Sequence, residues 1–272
     1  LSRVACKRRF FLHTRNVGKK VSGVAEGIPG PLGYGWRTSE VSDADAFSIC
    51  RGRRVQRLVR STHRIFTSRQ PDMHAILIHG LGRTPVSMLL LARRLRAKGI
   101  TTHLFGYSAA FEGWDACVAR LRGFIDARTR GERFIVVGHS LGCVLTRAVL
   151  PTLAHAPELG VFLAPPSTAS SLAIKLSRRW LFRALTGEMG QLLASREFMD
   201  ALPVPDIPLR VYAGTKGPRG RWMPFGDEPN AGIVSVEEVR LGSIPVQLLP
   251  TIHTLIMNSR QVGVDIGVVL KQ

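Results

Sequence analysis

A chain of 272 residues holds one medium domain, or one domain and an extension, and can bury a substantial core. Its 45% apolar and 21% charged residues are an ordinary globular balance, and no apolar run approaches the roughly eighteen residues of a membrane span. The net charge of +19 points to acidic partners, nucleic acid or anionic lipid headgroups.

That charge is uneven. Residues 1–70 hold fifteen Lys and Arg against four acids, so the excess belongs more to an N-terminal extension than to the rest. Lys7-Arg8-Arg9 is followed by only three apolar residues before His13, too short a run for a signal peptide. An Arg- and Ser-rich, acid-poor start fits an organellar transit peptide or a disordered leader. Cys6, Cys50, Cys117 and Cys143 lie far apart with no C-x-x-C pair, which suggests a reduced, cytoplasmic chain rather than a disulfide scaffold. Residues 16–46, rich in Gly, Pro and Ser, read as linker. Over 51–66 the spacing predicts an amphipathic helix, with Val55, Leu58, Val59, Thr62 and Phe66 on one face and arginines largely on the other. Such a helix covers a domain edge or lies on an anionic membrane as a peripheral anchor. No nucleic acid is expected, because no aromatic or glycine motif of a known reader accompanies the arginines.

From residue 71 a single domain is expected. Apolar runs over 74–79, 100–107, 134–138, 159–164 and 209–213 alternate with helical stretches over 85–98, 113–130 and 141–154. This rhythm predicts an α/β fold, a mostly parallel, doubly wound sheet with helices on both faces and ligands at the carboxyl ends of its strands.

Three pieces fall at such ends. Gly138-His139-Ser140-Leu141-Gly142 is G-x-S-x-G between a strand and a helix, where a strained turn raises a serine hydroxyl. His79-Gly80-Leu81-Gly82 closes an earlier strand. With Leu141 it offers the two main-chain N–H groups, of Leu81 and Leu141, that a tetrahedral oxyanion needs. A phosphate-binding loop fits poorly, since Arg83-Thr84-Pro85 follows with neither a third glycine nor Gly-Lys-Ser/Thr. His253 lies late in the chain, where the order Ser, acid, His puts the base.

These pieces, with Leu163-Ala164-Pro165-Pro166 and the stretch from Glu228 to Val236, resemble the lipase and esterase branch of the α/β-hydrolases over about residues 72–270. The resemblance implies an α/β-hydrolase fold, Ser140 as nucleophile, His253 as general base, and no metal or organic cofactor. One position departs from it. Where the family has the aspartate of Asn-Asp-Gly, this chain has Ala231. Loss of that acid in other triads costs about 10⁴-fold in rate. The nearby carboxylates are Asp227, the leading candidate for a displaced acid, and Glu228. The remaining alternative is no functional acid.

An insertion over 167–203 carries many large apolar groups, among them Leu172, Leu176, Trp180 and Phe182. Two short helices are expected, forming a lid that walls an acyl chain or simply packs on the core. Together these readings predict a serine esterase or lipase acting on an acyl ester, thioester or lipid. A catalytically impaired scaffold that binds a ligand or partner is the alternative, motivated by Ala231.

Overall fold

The computed structural model describes residues 73–270, so the basic extension and the helix expected over 51–66 lie outside the described residues. The first strand, β1 (His74–Ile78), leads through a 3₁₀ turn (Pro85–Met88) into α1 (Leu89–Arg96). Next come β2 (Thr101–Phe105), α2 (Trp114–Thr129), β3 (Phe134–His139) and α3 (Leu141–Val149). After β4 (Leu159–Leu163) an insertion forms α4 (Ser171–Leu176), α5 (Trp180–Leu192) and α6 (Arg196–Ala201). The chain closes with β5 (Leu209–Gly214), α7 (Val236–Val239), β6 (Val246–Leu249), a 3₁₀ segment (His253–Asn258) and α8 (Arg260–Val269).

The six strands form one parallel sheet in the order β2-β1-β3-β4-β5-β6. Parallel strands covered on both faces need apolar residues at every position, and β3 is buried at all six of its residues. The pleat sorts them by parity. Ala75, Leu77, Ile135 and Val137 join the core made with Leu91, Leu95, Ile256, Val262 and Ile266 of the face that carries α1 and α8. Ile76, Ile78, Phe134 and Val136 face the opposite way, onto Trp114, Leu121, Ile125, Leu141 and Leu145 of α2 and α3. This is the doubly wound sheet expected from the alternation.

The insertion holds three helices rather than two. Ser170 and Ser195 each accept a hydrogen bond from the main-chain N–H three residues on, so two six-residue helices start on side-chain caps with little apolar periodicity of their own. Its two ends are fastened together from below. Arg147 of α3, 3% exposed, donates to the carbonyls of Ser167, Leu202 and Pro203 at 3.1, 2.6 and 3.0 Å.

Candidate active site

At the carboxyl end of β3 the backbone turns sharply. Ser140 has φ 51° and ψ −119°, a conformation that costs a non-glycine residue about 1–3 kcal/mol. The neighbouring glycines make the turn sterically feasible. A Cβ on Gly142 would lie 2.5 Å from the Ile78 carbonyl oxygen, and one on Gly138 would lie 2.8 Å from the Cys143 nitrogen. The Ser140 N–H donates to the Leu163 carbonyl of β4 at 2.9 Å, which fixes the bend to the sheet. Ser140 ends up capping α3, so the N–H of Leu141 stands in the first turn, where helical N–H groups have no intrahelical acceptor.

Ser140 and His253 line one cavity of about 180 Å³, together with Leu81, Arg83 and His139. Its remaining walls are mostly apolar and come largely from the insertion, with Leu172, Ala173, Leu176, Phe182 and Leu193 among them. The Ser140 hydroxyl is not hydrogen-bonded to His253, and both residues line the shared cavity. Catalytic hydrogen bonds often tighten only once substrate is bound.

His253 is held through its main chain. Its N–H donates to the Ala231 carbonyl at 2.9 Å, and its carbonyl meets Nε2 of His139 at 3.1 Å. The two rings lie 4.9 Å apart, tilted by 49°. Arg83 donates from Nη2 to the Thr254 carbonyl at 2.9 Å and so ties the turn after β1 to the histidine segment. Burial, reinforced by the Arg83 charge, pushes the His253 imidazole down to about 4. Burial also holds His139 well below the ordinary histidine range, with the His253 charge adding to it.

Nδ1 of His253 is sealed from solvent without a hydrogen-bond partner. Ala231, where the resemblance to the lipase branch implies an acid, is tied to His253 through the main-chain bond just described. Asp227 and Glu228 are exposed, line no part of this cavity, and their carboxylates take part in no hydrogen bond among the described residues. The structure thus brings Ser140, His253, Leu81 and Leu141 to one end of the sheet and leaves Asp227 outside. The segment carrying Asp227 and Glu228 is braced by Asn230, whose buried side chain donates to the Pro218 and Glu228 carbonyls and accepts from the Gly232 N–H.

The alpha/beta hydrolase family model matches residues 75–257, two thirds of the sequence. The chain belongs to the alpha/beta hydrolase family. Among solved structures, this hydrolase-family chain is similar to the lipase BlEst2 of Bacillus licheniformis in its mature form. The two share 19% identity with a TM-score of 0.52, over 74% of this chain and 91% of that one. Tomato methylketone synthase I, complexed with 2-tridecanone, gives 13% identity and a TM-score of 0.51 over 74% and 98%. Phospholipase PlaB of Legionella pneumophila gives 17% and 0.51, over 62% of this chain and 44% of that one. At these identities the likeness establishes a shared fold. No curated protein matches the sequence itself.

Two site residues of this family member escaped the sequence reading. In the sequence Arg83 is only the residue after the Gly80-Leu81-Gly82 turn, and His139 only the variable position of G-x-S-x-G. Both act on main-chain carbonyls of the histidine segment, more than a hundred residues away, and no side-chain pattern signals such a partner. Among the described residues, no group of three or more His, Cys, Asp or Glu could hold a metal ion. No helix among them is long and apolar enough to cross a membrane.

Proposed function

We propose that this protein is a serine hydrolase of carboxylic esters, lipase- or esterase-like, working through an acyl-enzyme on Ser140. The observation that carries the reading is the strained Ser140 turn facing the same cavity as His253. His253 takes the hydroxyl proton through Nε2 as Ser140 attacks the ester carbonyl, and the oxyanion is received by the N–H groups of Leu81 and Leu141. His253 then protonates the leaving oxygen, and a water activated by the same ring releases the acid. The apolar walls suit an acyl chain, with a thioester as a second substrate type of the same chemistry.

The reaction runs on a Ser–His pair, with neither Asp227 nor Glu228 contributing a carboxylate. Turnover of a p-nitrophenyl ester tests this. Ser140→Ala and His253→Ala should each lose about 10³-fold or more, while Asp227→Asn stays within about twofold of wild type. A large loss in Asp227→Asn with the fold intact would return the third role to Asp227.

The unpartnered Nδ1 and Ala231 favour one second reading, a hydrolase-fold scaffold that binds a ligand without turnover. It predicts no Ser140-dependent turnover of any ester. The basic segment 1–70 is proposed to give peripheral contact with anionic membrane, placing the enzyme in the cytoplasm beside such a surface.

A further inference from the structure

We infer that the ester cleaved here carries an anionic group in its leaving-group half, bound by Arg83, so that the substrate supplies the negative charge that Ala231 leaves out. The inference rests on the serine-hydrolase reading above and names its substrate class.

Among the residues lining the cavity, Arg83 is the one that carries a permanent charge. Among the described residues no carboxylate pairs with it. Its side chain spends one hydrogen bond, on the Thr254 carbonyl, which leaves most of its five N–H donors for a ligand. A guanidinium offers its remaining donors as a fork that suits carboxylate or phosphate oxygens. That bond holds the guanidinium against the segment beginning with His253, the base that must meet the leaving oxygen. The acyl chain is then left the apolar lining that the insertion contributes to the same cavity, Leu172, Leu176 and Phe182.

The electrostatics lead to the same place. An imidazolium must form on His253 during acyl transfer, yet its Nδ1 has no acceptor and a fixed guanidinium stands nearby. An anion seated on Arg83 cancels the opposing charge at the moment the ring becomes positive. The benefit therefore falls on kcat as well as KM, because it is larger in the transition state than in the ground state.

The test compares hexanoyl esters of 4-hydroxybenzoate, of its methyl ester and of 4-(trimethylammonio)phenol, with wild type, Arg83→Gln and Arg83→Lys. Each enzyme's ratio between esters is read against the wild-type ratio, which removes differences in intrinsic reactivity. The wild-type preference for the benzoate over its methyl ester should fall about tenfold or more in Arg83→Gln and largely return in Arg83→Lys, the size of one charge-assisted hydrogen bond. The cationic ester should move the opposite way. Free 4-hydroxybenzoate should also inhibit wild type more strongly than its methyl ester, a reading that needs no variant.

Equal ratios in all three enzymes, with no preference in inhibition, would overturn the inference while leaving Ser140-dependent turnover intact. A charge preference found only with the mono-p-nitrophenyl ester of adipic acid would move the anion to the acyl half and overturn the placement. Absence of Ser140-dependent turnover with every ester would remove the hydrolase reading itself.

Discussion

At His253 the surroundings of the ring set the chemistry. The ring belongs to the cavity lining, and Nδ1 is buried without an acceptor, so Nε2 is the nitrogen assigned to the substrate side in the proposed reaction. A ring placed this way stays neutral to unusually low pH, since burial and Arg83 push it down to about 4. A general base works in its neutral form, so kcat/KM for a neutral ester should stay level as pH falls through the ordinary histidine range and drop only below about 4. An acidic limb near 6.5 would show that the ring is far less buried in solution. Ala231→Asp places a carboxylate at the family's acid position. It should raise kcat/KM for a neutral ester by about tenfold or more and move the acidic limb upward, with thermal melting to confirm the fold. No gain in a folded variant would mean that residue 231 cannot address Nδ1.

Among the elements, the turn at Ser140 and the insertion show two kinds of legibility. Gly138 and Gly142 could be read from the motif because their reason is steric and local, and the contacts their side chains would make bear that out. Strands β1, β3 and β4 were legible as short apolar runs because both their faces are covered, and β5 by its buried second half. β6 was not, since Val246, Gln247 and Leu248 are half-buried or exposed and show no continuous apolar run. Arg147 was invisible for another reason: its acceptors are carbonyls at the two ends of the insertion, whose nearness only the fold creates. Arg147→Met should therefore cost about 3 kcal/mol of stability and speed proteolysis within 167–203, as buried carbonyls lose a charged donor. A change below about 1 kcal/mol with an unaltered cleavage pattern would contradict this fastening role.

Over the described residues, the sheet gathers at one end groups that the sequence spreads from His79 to His253. Parallel pairing of β1, β3 and β4 brings the ends of His79, Ser140 and Leu163 side by side, and the closing 3₁₀ segment adds His253. The order of these pieces was readable from the alternation of runs; the place of Asp227 was not, because distance along the chain gave no sign of where the segment braced by Asn230 would lie. The charge belongs to this scale as well. Residues 1–70 hold fifteen of the thirty-eight basic residues and four of the nineteen acids. Deleting them should abolish cosedimentation with phosphatidylserine vesicles at low salt while leaving ester turnover within about twofold. Retained vesicle binding would shift the contact to the hydrolase domain. The most direct test of the whole account is covalent: a fluorophosphonate probe should label the folded wild-type protein on the peptide containing Ser140, with no label on Ser140→Ala. Folded wild type that takes no label, or takes it on another residue, would contradict an activated serine at this turn.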